Sequence, residues 1–411
     1  MSNGAGTIGD RSGAAVDLRF FADVSGIYDT GIQPFALNSK GGLETVNGVY
    51  GVQADAGVYG THMWRNALLG LDFGGNFYHF DNASYLDGST ERLMLGYTWQ
   101  KSRHLVFDFR ESAGTSSLAY GFGYYQPATG IANQPTSLLF DNRVYFGEST
   151  ADMTYIQSAR TSYSVGGDGF VVRREASGLA ATNGYSVHGT IQHRLSKTKT
   201  IGFTYQHMYF EFPPAFGNST ADMGQGFFAT SLGRRWAFQL RAGAFRSDVV
   251  GLQQVALNPV IAALLGTSVG IQAFHRQDIY PAGEATLSAR LKNSLLAFDY
   301  SQTVVPGNGV YLTSRQNSGT ANYSYTGIHK WNFGVNGGYY ELFGIGQGIK
   351  PYQTYSGGAG FTYGLSRSFH IVGHYDARHQ EITNISGYRN TGYRVMLGLA
   401  FSPGDKPLSL W

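Results

Sequence analysis

Apolar and polar residues alternate with a period of two along almost the whole chain. In 66–80, Leu69, Leu71, Phe73 and Phe77 fall on one face, and Gly70, Asp72, Gly74 and Asn76 on the other. In 199–210, Ile201, Phe203 and Tyr205 oppose Gly202, Thr204 and Gln206. In 368–378, Phe369, Ile371 and Tyr375 oppose His370, His374, Asp376 and Arg378. The last run sets Val395, Leu397, Leu399 and Phe401 against Arg394, Met396, Gly398 and Ala400. Strands send successive side chains to opposite faces, so each run reads as a strand with one apolar face and one polar or small face. Helical spacing does not fit, because apolar residues do not recur at three and four and glycine is too frequent. Many runs last roughly 10–14 residues, enough to cross a bilayer when tilted, whereas strands of soluble sandwiches run to about 5–6.

The pattern predicts strands at 14–28, 47–63, 66–80, 89–100, 103–114, 147–159, 162–174, 184–195, 199–212, 220–232, 235–247, 282–292, 294–304, 313–327, 330–342, 354–365, 368–380 and 389–402. Their connections are of two kinds that largely alternate. Short ones lie at Trp64-Arg65, Lys101-Ser102, Arg160-Thr161, Ser196-Thr198, Gly233-Arg234, Lys292-Asn293, Ile328-His329 and Ser366-Arg367, and long ones at 29–46, 115–146 and 248–281. The expected fold is all-β: a transmembrane antiparallel up-and-down barrel of about 18 strands, with 16 as the alternative count. Short turns face the periplasm and long loops the outside, and an even strand number puts both termini in the periplasm. The chain divides into a short periplasmic segment 1–13, the barrel 14–402 and a periplasmic tail 403–411.

Composition agrees. Charged residues make up 14% of the chain against roughly a quarter in soluble domains, with 57 Gly, 28 Tyr and 27 Phe. Mean hydropathy is -0.19, which excludes a bundle of apolar helices. A formal net charge of +3 argues against a nucleic-acid partner. The absence of Cys suits an oxidising compartment. The opening Met1-Ser2-Asn3-Gly4-Ala5-Gly6 lacks the basic and apolar regions of a secretory signal. An exported barrel needs one, so the chain reads as a mature form or as one whose start is set late.

Trp64, Trp99, Trp236 and Trp331 all lie in or beside short turns, and Trp411 ends the chain. Indole favours the membrane–water boundary, so these four predict an interfacial girdle. Tyr78, Tyr209, Tyr339 and Tyr340 would form the girdle at the opposite edge.

Charges on the polar faces could not meet lipid cheaply, since Arg costs about 2–4 kcal/mol at mid-depth. The lumen-lining candidates are Arg110, Arg241, Arg290, Arg394, Asp72, Asp108, Asp299, His374 and Asp376. Asp17, Arg19, Asp23, Asp55, Arg92, Arg194, Arg235, Glu284, His370 and Arg378 share their faces. They either hydrate a channel and select its solute or pair across the lumen and brace the wall. Inward Gly51, Gly96, Gly202, Gly334, Gly338 and Gly398 either widen the lumen or permit curvature. Loop 248–281, apolar from Val255 to Val269, is expected to fold into the mouth as a lid or pack on the rim. Loop 115–146, with Tyr120, Phe122, Tyr124 and Tyr125, is a second candidate lid.

No catalytic, cofactor or metal site is expected. There is no Gly-x-Ser-x-Gly before a helix. His370 and His374, four apart in a strand, stand about 13 Å apart, too far to share one ion unaided.

The opening VDLRFFADVSGIYDTGI and the run RTSYSVGGDGFVVRREASG, followed by GYSVHGTIQHRLSKTKTIGFTYQH, resemble barrels of the "beta-barrel porin 2" kind. That group includes barrels encoded with exopolysaccharide genes. The resemblance implies passage of hydrophilic solutes through the outer membrane of a Gram-negative bacterium, exopolysaccharide export among them. The implied partners are outer-membrane lipid and lipopolysaccharide, a polysaccharide or small solute, and a periplasmic export partner. A structural or adhesion barrel with a filled lumen is the alternative, and an outer-membrane enzyme the third class. The oligomeric state stays open.

Overall fold

The computed structural model describes residues 17–30, 36–37, 43–44, 48–81, 87–117, 143–175, 178–256, 258, 266–347, 351–382 and 388–402. Twenty strands follow in order: β1 (Asp17–Asp29), β2 (Ala36–Leu37), β3 (Leu43–Glu44), β4 (Val49–Met63), β5 (Ala67–Phe80), β6 (Gly88–Gln100), β7 (Leu105–Ser117), β8 (Arg143–Ile156), β9 (Thr161–Arg174), β10 (Thr182–Arg194), β11 (Lys199–Glu211), β12 (Asn218–Leu232), β13 (Trp236–Ala256), β14 (Val269–Arg290), β15 (Ser294–Val305), β16 (Ser314–Ile328), β17 (Trp331–Gly344), β18 (Tyr352–Gly364), β19 (Phe369–Ile382) and β20 (Tyr388–Phe401). β2 and β3 form a two-residue ladder of their own, and the other 18 form one antiparallel sheet.

That sheet is closed. β1 pairs with β4 from Asp17↔Thr61 to Asp29↔Val49 and with β20 from Ala22↔Phe401 to Asp29↔Arg394. Closure removes the edges that an open sheet would expose in lipid. The count settles at 18, and such a barrel measures roughly 35 Å between opposite backbones. Asp17 lies beside the turn after β4 and Phe401 opposite Phe369, so both described ends sit at the short-turn rim. Segments 1–13 and 403–411, with Trp411, lie outside the described residues.

Serine organises several short turns. The Ser158 hydroxyl accepts from the backbone N–H of Arg160 (3.2 Å) and Thr161 (3.0 Å), and Ser366 does the same for Ser368 (3.2 Å) and Phe369 (3.1 Å). Side-chain acceptors of this kind mimic a backbone turn and stop a strand sharply.

The outer wall is apolar. Leu18, Phe20 and Val24 on β1 and Val395, Leu397 and Leu399 on β20 are exposed. A continuous apolar exterior around a closed ladder is the surface that lipid covers. Trp99 stacks on Phe107 (5.5 Å), and Trp331 contacts Phe333, Phe361 and Tyr363. Trp64 and Trp236 are exposed, so all four stand near the short-turn rim on the outer face. Tyr209, stacked with Tyr185 (5.5 Å), and Tyr339, against Tyr355, lie outward near the other rim. Tyr78 and Tyr340 do not. Tyr78 alternates in step with the buried Asn76 and Phe80, and Tyr340 packs with Leu342 and Tyr311, so both point inward.

One outward residue breaks the apolar belt. Glu111 is the middle residue of β7, opposite the exposed Leu95, and accepts a hydrogen bond from Ser149 (2.5 Å). A carboxylate at that depth faces hydrocarbon. Glu111→Leu is expected to raise the unfolding free energy of the barrel in lipid vesicles by about 1 kcal/mol. A lower denaturant midpoint for the variant would show that Glu111 meets something other than lipid.

The segment 248–281 corrects the sequence reading. Its arms are not loop but prolong β13 and β14 as a hairpin paired from Val249↔Arg276 to Ala256↔Val269, while 257 and 259–265, most of the apolar centre, lie outside the described residues. His275 to Asp248 (2.7 Å) and Arg246 to Gln277 (3.1 Å) tie its outer row. Polar cross-strand pairs replace the apolar row once the strands leave lipid, and this makes the extension resemble a loop in sequence. Most of 115–146 lies outside the described residues.

Candidate functional site

Among the described residues the inner wall carries paired charge in several sectors, one of them His188 Nε2 against Asp152 Oδ1 (2.9 Å) between β8 and β10. At the β1–β20 closure, Arg394 Nε donates to Asp29 Oδ2 (2.7 Å), with Arg378 at 3.9 Å from Asp29 Oδ1. All three are buried, Asp29 at 2% exposure. Beside them His374 Nε2 meets Asp376 (2.7 Å). On β5–β7, Arg92 reaches Asp72 (3.3 Å), while Asp108 takes Arg110 Nε (2.8 Å) and the Thr98 hydroxyl (2.9 Å). On β13–β14, Arg241 pairs with Glu284 (3.5 Å) and lies over the Phe227 ring.

The lumen candidates are therefore spread around the wall rather than gathered at one point. Asp299 stands half-buried opposite Thr286 and Thr320, and Arg290 is exposed at the short-turn end of β14. Arg235 lies in the turn before β13 and not on the wall, since the reversal occupies 233–235. Gly202 does not widen the lumen. A Cβ there would meet the Phe227 ring at 2.3 Å, so the missing side chain seats that ring.

Sequence reasoning missed Asp29, which fell one residue beyond the expected strand 14–28. It continues the inward parity of Arg19 and Asp23, and that parity was its signal.

It also missed the main feature of the mouth, the β15–β16 connection Pro306–Thr313. Gly307 (φ 69°) and Gly309 (φ 90°) adopt left-handed backbone that favours glycine. Between them the Asn308 side-chain oxygen accepts from the N–H of Val310 (3.3 Å) and Tyr311 (3.1 Å), and Asn308 N–H donates to Tyr311 O (3.0 Å). This tight turn folds inward: Asn308 is 1% exposed and Thr313 is fully buried.

The loop reaches well beyond its own strands. Ala180 N–H, in the β9–β10 connection, donates to Gly309 O (3.1 Å), and Arg174 Nε donates to Ala180 O (3.1 Å). Thr313 Oγ1 donates to Ser219 Oγ on β12 (2.5 Å). Gln347 closes the near side, accepting from Leu312 N–H (2.9 Å) and donating to Val310 O (3.1 Å). Phe170, Phe210, Phe245, Met223, Val304 and Ile345 belong to one buried apolar cluster against which Leu312 packs. The long-loop half of this sector is thus filled, whereas Arg110 (59%) and Glu284 (37%) lower on the wall keep exposed side chains.

Among the described residues no group of three or more His, Asp or Glu side chains is placed to hold a metal.

No family model and no curated protein matches the chain. Among solved structures it is similar to Pseudomonas aeruginosa OccK2 (OpdF) in complex with glucuronate, at 11% identity and TM-score 0.45, covering 94% of this chain and 98% of that one. A BenF-like porin from Pseudomonas fluorescens Pf-5 matches at 8% identity and TM-score 0.45, covering 95% and 100%. Acinetobacter baumannii OccAB3 matches at 10% identity and TM-score 0.43, covering 94% and 99%. The architecture itself stands on the chain's own closed ladder of 18 strands.

Proposed function

We propose that this barrel is a gated channel of the bacterial outer membrane for small hydrophilic solutes, stopped at its long-loop mouth by 306–313. The observation that carries the reading is the contrast within one lumen. Neutral hydrogen bonds and apolar packing hold the loop in the mouth, while charged side chains stay exposed on the wall below it. Closed barrels with apolar exteriors, short turns at one rim and longer connections at the other are the outer-membrane solution to spanning lipid with strands. Short turns then face the periplasm. No catalytic or cofactor-dependent role is proposed.

The lumen candidates Asp72, Asp108, Arg110, Arg241, Arg290, Asp299, His374, Asp376 and Arg394 serve two purposes on this reading. The tightly paired ones brace the wall, and the exposed ones hydrate the path. Trp64, Trp99, Trp236 and Trp331 anchor the periplasmic rim in the lipid boundary. Exopolysaccharide export would require the loop to leave the mouth, and so belongs to an opened form. The filled mouth favours the second reading, a structural barrel.

Single-channel recording of the purified protein in planar bilayers, with neutral polymers of graded size, separates the two. Discrete conductance blocked only below a size limit supports the channel. A bilayer that stays silent with wild type and with the loop-shortened variant described below rejects it.

A further inference from the structure

The outer wall is not smooth over β13–β17. A groove of about 450 Å³ opens there, walled by Phe238, Phe298, Tyr300 and Tyr339 and floored by Gly319 and Gly337. Register sets Gly319 between Tyr300 and Tyr339, and Gly337 beside Ala321, whose other neighbour is Phe298. Phe298 and Tyr300 are exposed, so the groove is reached from outside the barrel. The chain itself gives no reason for the two glycines. Neither has a positive φ. A Cβ would meet nothing nearer than a backbone oxygen, at 4.0 Å for Gly319 and 3.9 Å for Gly337. Glycine weakens a strand and often marks the close approach of another molecule.

Toward the long-loop rim the chemistry changes in steps. Next above the groove, outward Glu341 accepts from Asn317 Nδ2 (2.7 Å) and Gln353 Nε2 (2.9 Å), so two amides already engage its charge. Next above that, Arg315 lies over the rings of Phe343 (5.2 Å) and Tyr280 (5.6 Å). It is half-buried and, among the described residues, makes no ion pair. Arg315 stands where the wall steps. β14 and β15 pair only from Gly283↔Gln302 to Arg290↔Leu295, and Pro281, which has no N–H to donate, follows just above. Apolar groove, polar band and cation thus succeed one another along about 13 Å of β16, from Gly319 to Arg315. An acyl chain, the polar unit that carries it and a phosphate succeed one another in the same order along a phosphate lipid. Guanidinium is a preferred partner of phosphate.

We propose that this groove is a docking site for lipopolysaccharide, taking one acyl chain of its lipid A between Tyr300 and Tyr339 and a lipid A phosphate at Arg315. In the orientation given above the long-loop rim faces outside, and lipopolysaccharide is the phosphate lipid of that leaflet. The inference concerns the lipid side of the wall and holds whether or not the lumen conducts.

The test is native mass spectrometry of the detergent-solubilised full chain titrated with diphosphorylated lipid A, with phosphatidylcholine as the control lipid. Wild type should hold lipid A at micromolar concentration and prefer it to phosphatidylcholine. Gly319→Leu/Gly337→Leu fills the groove from the lipid side without a clash and should lose about tenfold or more in affinity. Arg315→Gln should lose severalfold for lipid A and nothing for phosphatidylcholine. Unchanged heat-dependent gel mobility confirms that each variant is folded. Absence of binding to folded wild type, or unchanged affinity for lipid A in either variant, overturns the site. Wild-type dimers that the double variant loses would place a second copy of the chain in the groove and overturn it equally.

Discussion

Replacing Gly307–Leu312 by a short Gly-Ser link is expected to raise single-channel conductance severalfold and to raise the size limit for neutral polymers. The loop makes contacts that only an inward course allows, reaching Ser219 on β12 and Ala180 beyond β9. An 18-stranded wall is far wider than a small solute requires, so the contents of the lumen, and not the strand count, set the size limit. Asn308→Ala gives a second, gentler test. It removes the acceptor for Val310 and Tyr311 N–H but leaves every apolar contact of the loop. Losing such a turn-forming acceptor costs about 1 kcal/mol, which should appear as more frequent openings at unchanged full conductance. If neither variant differs from wild type, the loop is not the constriction and the structural reading gains.

Much of this was legible from alternation alone. The strand expected at 199–212 runs Lys199–Glu211, and that expected at 330–342 runs Trp331–Gly344. One face must meet lipid, so a slip of a single residue would turn every apolar side chain inward, and the pattern therefore fixes the register. Parity was weaker at the strand ends, where Arg235, assigned to the wall by alternation, lies in the turn before β13. It was not followed for Tyr78 and Tyr340, which were placed in the girdle by residue type although their neighbours' alternation turns them inward.

The contents of the lumen were less legible. Pro306-Gly307-Asn308-Gly309 reads as an ordinary surface turn. Its inward course depends on Ser219 and Ala180, about a hundred residues away in sequence, and no local pattern records such a contact. The flanks of the apolar stretch Val255–Val269 were misleading for the opposite reason. Their polar composition resembled a loop, but they are strands continuing beyond the membrane.

Asp29→Asn is expected to cost about 3 kcal/mol of barrel stability, read as a lower midpoint of urea unfolding in lipid vesicles. Asp29 lies between Arg394 at 2.7 Å and Arg378 at 3.9 Å, all three being buried. Removing the carboxylate charge leaves two guanidinium groups close together without it, and breaking a buried pair from one side typically costs 3–5 kcal/mol. The location increases the consequence. Arg394 is the register partner of Asp29 where the last strand finds the first, and β1 and β20 share eight register pairs, 22–29 against 401–394, while β1 and β4 share thirteen, 17–29 against 61–49. Fewer ladder contacts hold the closure, so its side-chain ties carry more of the work of keeping the barrel shut. Arg394→Met in the Asp29→Asn background should recover most of the loss, because removing both partners costs less than stranding one. A double variant as unstable as Asp29→Asn would mean that packing at the closure, and not charge, accounts for the effect.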